Sequence, residues 1–385
     1  MTRATHEVAD VIRLFGDALL REGSVTPARQ RVMRALLACR TAQLGGHVES
    51  CDSCDYQRIT YNSCRNRHCP KCQGSKQAQW LEDRAKDLLP VEYFHVVFTM
   101  PEELARIALQ NKRVVYGILF AASAATLRTI ATDSKHLGAE IGFLSVLHTW
   151  TQDLRHHPHV HCVVPGGGLA PDGRWIACRP GFFLPVRVLG AMFRGKFVAA
   201  LRTAFERGDL HFQGGLESLQ NAASFTACLD RAMATPWVVY SKPPFGGPEQ
   251  VLKYLARYTH RVAISNSRIL DVSDRCVKFR WRDRAKGNLP RTMELPGVEF
   301  LRRFLLHVLP RGFPRIRHYG LLGNRKRATK LAVCRLQLGA PMPACPSTAI
   351  VPCAMPDDRC PACRSGRIIR QRWSITKLPE LADTS

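Results

Sequence analysis

Acidic residues are scarce in this 385-residue chain: 31 Asp and Glu stand against 56 Lys and Arg, a formal charge of +25. A field of that sign attracts polyanions, and for a soluble protein of this size nucleic acid is the leading class of partner. The carboxylates that exist form no cluster of the kind an acidic-triad strand-transfer enzyme needs. The chain also lacks any run of 18 uninterrupted apolar residues, so no membrane span is expected. Its first stretch, "MTRATHEVADVIRLFGDALLREG", carries acids through its apolar positions and has no signal-peptide core. That stretch is expected to be an amphipathic helix, and the protein cytoplasmic. There is no HExxH for a zinc protease. "GAMFRGKF" (Gly190 to Phe197) approaches a P-loop but ends in Phe197, which has no hydroxyl for Mg2+, so no nucleotide cofactor is expected.

Cysteine, by contrast, is plentiful: the chain has 15. In a reducing compartment disulfides do not persist, and such a number points to metal. Cys51-x2-Cys54 and Cys69-x2-Cys72 each place two thiolates on a tight knuckle, and together they are expected to complete one tetrahedral zinc site. Cys64, His68, His47 and Cys39 lie close enough in sequence to supply a second. Arg58, Arg65, Arg67 and Lys71 stud the same cluster, so the module is assigned to nucleic-acid binding rather than catalysis. Near the other end, Cys345, Cys353, Cys360 and Cys363 make either a further four-thiolate site or free thiols on a Pro-rich tail.

The middle of the chain is cysteine-poor and periodic. "EYFHVVFTM" reads as a buried strand, and Pro101 with two acids opens a helix that another, longer one follows to about Thr132. "FLSVLHTWTQDL" and "PHVHCVVPGG" form a hairpin, with further strands at "GRWIACR", "WVVYSKP" and across residues 263–284. Helices are expected at 185–207, 216–233 and in "PEQVLKYLARYTH". On the hairpin, His159 and His161 fall on one face and Val160, Cys162 and Val164 on the other. The histidine face is expected to be exposed, with His156 and His157 solvated in the turn. Two imidazoles supply two of the three protein ligands that a catalytic metal usually needs. The third is expected to be Gln152 if the turn is tight, or His148 if the hairpin is longer. Taken alone, the segment reads first as a His-rich hairpin without metal.

Tyr254 and Tyr258 are four residues apart in "KYLARYTH" and so share a helical face, flanked by Lys253, Arg257, His260 and Arg261. Packed aromatics have the same spacing. Two phenols among cations also suit attack on a phosphate, and a divalent metal would offset the poor nucleophilicity of a phenol whose free pKa is near 10.

A metal-ligand strand, a paired-tyrosine helix, zinc knuckles and high positive charge occur together in one family. The chain resembles the insertion-sequence-91 rolling-circle transposases, two-tyrosine members of the HUH (His–hydrophobic–His) endonucleases. The resemblance rests on "CDSCDYQRITYNSCRNRHCPKCQ", "YFHVVFTMP", "HTWTQDLRHHPHVHCVVPGGG", "YSKPPFGGPEQVLKYLARYTHRVAISN" and "PRIRHYGLLGNR", spanning about residues 39–338. It implies an α+β fold, in which an antiparallel sheet with packed helices follows a small Cys-rich module. It further implies Mg2+ or Mn2+ on His159 and His161, and Tyr254 and Tyr258 as nucleophiles that nick single-stranded DNA at transposon ends and target. Such a protein is prokaryotic and nucleoid-associated. The expected division is a helical segment over 1–38, the zinc module over 39–90 and the catalytic domain over 91–270. Residues 271–340 complete that domain, and 341–385 form the tail. The competing reading is a non-catalytic zinc-finger nucleic-acid-binding protein, a decayed transposase.

Overall fold

A computed structural model describes residues 4–242, 250, 252–253, 263–283, 287–341 and 358–373. The fold is α+β with antiparallel sheets throughout the described residues. Strands are numbered in chain order. The largest sheet holds β3 (Tyr93–Thr99), β4 (Gly142–Trp150), β5 (His156–Pro165), β8 (Val239–Lys242) and β12 (Ile316–Gly320), in the order β12-β4-β5-β3-β8. Aromatic and β-branched residues dominate β3, as a pleated, doubly covered sheet favours. Strand β5 is central, and its two faces differ in chemistry.

One face carries Val160, Cys162 and Val164 of β5 with Phe94, Val96 and Phe98 of β3, all essentially without solvent exposure. Helices Lys112–Thr132 and Val186–Glu206 cover it, and the Phe98 and Phe193 rings meet edge-on at 5.0 Å. Helix Lys112–Thr132 is long and apolar enough to cross a membrane by composition. Here Val115, Tyr116, Leu119, Phe120 and Leu127 spend that apolarity on the core. The helix expected over 216–233 is divided: a 3-10 segment, Gly214–Gln220, precedes helix Ala222–Ala234. Asn221 makes the break, its side chain accepting from the Ala223 and Ser224 amides as an N-cap does.

A second core joins the N-terminal helices to residues 263–308. Helix Val8–Arg21 buries Val8, Val11, Ile12, Phe15 and Leu19 against helix Gly297–Leu306 and the sheet β9 (Ile269–Val272), β10 (Cys276–Asp283) and β11 (Leu289–Pro296). The opening helix is amphipathic as expected, but it packs into the region of 271–340. Gly297 allows the close approach, since a Cβ there would enter the Phe15 ring. Two smaller sheets remain: β6 (Gly167–Leu169) with β7 (Trp175–Ala177), and β1 (Gly46–Cys51) between β2 (Gln57–Tyr61) and β13 (Ile368–Trp373). In the first, Gly168 passes so close to Glu140 that a Cβ would meet its carbonyl oxygen at 2.5 Å. The glycine run after the histidines thus serves packing.

Candidate active site and metal centres

The second face of the large sheet gathers imidazoles. β4 and β5 pair with His148 directly opposite His159 and Val146 opposite His161, so the three histidines share a face by register. Their ligand nitrogens all lie within 4.8 Å of one another. All three are buried, at 2%, 6% and 5% exposure. The expected solvent-exposed face is therefore corrected: β5 lies between two strands and is covered on both sides.

Of the two expected third ligands, His148 has a ring nitrogen within 4.8 Å of those of His159 and His161. Gln152 sits in the five-residue connection after β4, beyond a bulge between His148 and Trp150, and its carbonyl oxygen accepts from the Arg268 guanidinium. His148, the alternative, completes the set because the connection is long rather than tight. His156 and His157 are also not turn residues but the first two of β5. His156 Nε2 lies 2.7 Å from Tyr116 Oη.

Metal binding requires neutral imidazoles with the right nitrogen free. Burial and the neighbouring imidazoles His161 and His159 hold His148 well below its ordinary pKa. His159 Nδ1 lies 2.7 Å from the His157 carbonyl oxygen, to which only a protonated nitrogen can donate. That fixes the tautomer and leaves Nε2 with its lone pair. On β3, His95 Nε2 lies 2.7 Å from His161 Nδ1, with the rings stacked at 4.9 Å. His95 was missed by sequence reasoning, although an imidazole inside the apolar "YFHVVFT" was a signal. Trp150 stacks on His148 at 4.8 Å, and the Arg315 guanidinium lies over the Trp150 ring at 4.9 Å from its centroid. This donor set fits a divalent ion, and three imidazoles suit a transition metal better than oxygen-seeking Mg2+.

Tyr254, Tyr258, Arg257 and Arg261 lie outside the described residues. Leu252 and Lys253, just before them, are helical. Leu252 is buried and lines a narrow cavity with Tyr93, Leu144 and Val163, which belong to the histidine face.

The cysteines group differently from the expectation. Cys69 and Cys72 converge with Cys39 and Cys64, and Cys51 and Cys54 with Cys360 and Cys363. In the first group Cys64 and Cys72 Sγ are 3.7 Å apart and Cys69 and Cys39 Sγ 3.5 Å. A zinc ion with Zn–S near 2.3 Å sets its sulfurs about 3.8 Å apart, so the spacing fits. The knuckles are separated because β1 and β2 carry Cys51 and Cys54 to one end of their hairpin, whereas Cys39 and Cys64 flank the other. His47 belongs to neither group among the described residues. His68 is excluded by its bonds: Nδ1 contacts Asn66 Oδ1 at 3.1 Å and Nε2 accepts the Leu309 amide at 3.2 Å. Cys345 and Cys353 lie outside the described residues.

Residues 142–329, which hold the three histidines, match a family model described as "Putative transposase", and residues 11–100 match one described as "Transposase zinc-binding domain" of insertion sequence 91. A protein of Sinorhizobium fredii described as a "Putative transposase" is 54% identical over the whole of both chains. The chain belongs to the insertion-sequence-91 family of transposases. The transposase for insertion sequence element IS801 of Pseudomonas savastanoi pv. phaseolicola is 27% identical, over 80% of this chain and 73% of that one. No solved structure matches.

Within this transposase the basic residues of the zinc module divide by role. Arg65 is exposed. Arg67 is not available as expected: its guanidinium donates to the carbonyl oxygens of Phe313 (2.5 Å) and Pro310 (2.7 Å), tying the module to the loop before β12. Lys71 forms an ion pair with Glu7 at 2.8 Å.

Proposed function

We propose that this transposase nicks and rejoins single-stranded DNA through a phosphotyrosine, with His148, His159 and His161 holding a divalent metal. The observation that carries the reading is the convergence of three buried imidazoles on one sheet face. The bound ion would neutralise charge on the scissile phosphate and orient it. The chain's own residues do the rest. His157 and His95 hold the ligand rings, Trp150 and Arg315 close one side of the site, and Leu252 seats the start of the tyrosine segment on the same face.

Tyr254 or Tyr258 attacks phosphorus. A bond forms between the phenolic oxygen and phosphorus, the bond to the 3′ oxygen breaks, and the phenolic proton ends on that oxygen. The product is a 5′-phosphotyrosine and a free 3′-OH, and the retained phosphoester energy permits rejoining. The second tyrosine performs the matching cleavage at the target, so strands exchange without a nucleotide cofactor. The +25 charge and the zinc module supply affinity for DNA at element ends in the cytoplasm.

The test is incubation with labelled single-stranded DNA from the element's ends and Mn2+, followed by denaturing electrophoresis. A detergent-resistant adduct is expected, lost in Tyr254→Phe/Tyr258→Phe. If no end sequence yields an adduct while DNA is still bound, the non-catalytic binding protein is the correct reading.

A further inference from the structure

The C-terminal segment returns to the N-terminal module. β13 pairs antiparallel with β1 from Gly46 opposite Trp373 to Cys51 opposite Ile368. This register sets the knuckle Cys360-x2-Cys363 against Cys51-x2-Cys54. Cys51 Sγ lies 3.7 Å from Cys363 Sγ, Cys54 Sγ lies 3.7 Å from Cys360 Sγ, and all four sulfurs are within 4.8 Å of one another. A disulfide needs its sulfurs about 2.05 Å apart, whereas four thiolates around one zinc ion stand about 3.8 Å apart. The spacing is that of a coordination tetrahedron.

The surrounding backbone is built to hold sulfur anions. The Ser53 amide donates to Cys51 Sγ (3.3 Å), the Ala362 amide to Cys360 Sγ (3.4 Å) and the Gly366 amide to Cys363 Sγ (3.3 Å). The knuckles are also bonded to each other: the Arg367 amide donates to Asp52 Oδ1 at 2.8 Å, and the Asp52 amide to the Arg367 carbonyl at 3.1 Å. Gly366 packs so tightly that a Cβ would collide with Cys51 Sγ and Asp52.

We propose that Cys51, Cys54, Cys360 and Cys363 bind a structural zinc ion that clasps residues 358–373 onto the N-terminal module. Cys360 and Cys363 lie beyond both stretches that match the family models, 11–100 and 142–329, so that match does not assign this site. Four thiolates fill the coordination sphere and leave no open position, which makes the site structural rather than catalytic. The sheet needs such a clasp. Ile369 of β13 is 48% exposed, and five of the six β1 residues are only half-buried, so apolar burial holds β13 weakly. Metal binding then supplies the folding energy.

The test measures zinc per chain by native mass spectrometry on the full-length protein and on Cys360→Ser/Cys363→Ser. The variant is expected to hold one zinc fewer than the parent. Amide exchange in residues 46–51 and 368–373 should accelerate, with helix Lys112–Thr132 unchanged. An unaltered zinc count overturns the proposal. Should the variant fail to fold, the parent protein is stripped and titrated with Co2+. Thiolate-to-cobalt charge-transfer absorption should grow through two equivalents, and saturation at one overturns the proposal. Neither readout depends on nicking.

Discussion

His95 Nε2 and His161 Nδ1 lie 2.7 Å apart across β3 and β5, in a plane that stacks the two rings. With a metal on His161 Nε2, Nδ1 carries the proton and His95 accepts it, which fixes the tautomer and raises the basicity of the ligand. Outer partners of this kind are typically worth about 10–100-fold in metal affinity. His95→Phe keeps the apolar volume and removes the acceptor, so Mn2+ affinity measured by calorimetry should fall by about that factor. His95→Gln retains an acceptor and should recover part of the loss. Equal affinities in Phe and Gln variants would show that His95 only fills space.

Gln152 and His148 make opposite predictions. His148→Ala removes one of the three proposed ligands and should abolish Mn2+ binding at micromolar concentration, along with adduct formation. Gln152→Ala alters a loop side chain whose backbone carbonyl makes the bond to Arg268. It should leave both readouts within a few-fold of the parent, and the reverse pattern would restore the amide as ligand.

These two residues also show where sequence reading stopped. Alternation placed His159 and His161 on one face of β5, and that needs only the two-residue period of a strand. Choosing between Gln152 and His148 needed the hairpin's length and the bulge at Trp150, which no periodicity encodes. Burial of the histidine face was unreadable for a related reason. The residues packed around it, among them His95 and Arg315, come from segments far apart in the chain. Three knuckles of the same form, at Cys51, Cys69 and Cys360, allow several pairings, and only the register of β13 on β1 chooses among them. His95 is separated by 66 residues from His161, so its partner was invisible although its oddity in an apolar strand was not.

Arg67 separates structure from DNA contact. A surface cation that grips phosphate would, when removed, reduce the salt slope of single-strand binding by about 0.7. Arg67 instead satisfies the Phe313 and Pro310 carbonyls. Arg67→Ala should leave the slope of log Kd against log salt unchanged while costing about 1.5–3 kcal/mol of stability in urea melts, the range for hydrogen bonds to a charged group. A lower slope at unchanged stability would return Arg67 to the DNA interface.

His307 governs the response to acid. It is buried at 1% exposure, with Nε2 donating to the Leu154 carbonyl (3.1 Å) and Nδ1 accepting from Thr149 Oγ1 (3.2 Å). The Thr149 bond requires the neutral ring, because a protonated Nδ1 has no lone pair to accept it. Burial, reinforced by nearby His156, lowers its pKa to about 3, and burial lowers His156 and His68 to about 3 as well. In the unfolded chain each ring titrates near 6.5, so between about pH 6.5 and 3 the unfolded state binds protons that the folded state refuses. Stability is therefore full above about pH 6.5 and falls as the pH drops through that window. The slope is at most about 1.4 kcal/mol per pH unit for each ring, about 4 for the three. Urea midpoints at pH 7.5, 6.5 and 5.5, with zinc content followed in parallel, should show the decline before zinc is released. His307→Gln should remove about a third of the slope. A midpoint that stays flat down to pH 5.5 would mean that these rings titrate in the fold as they do in the unfolded chain.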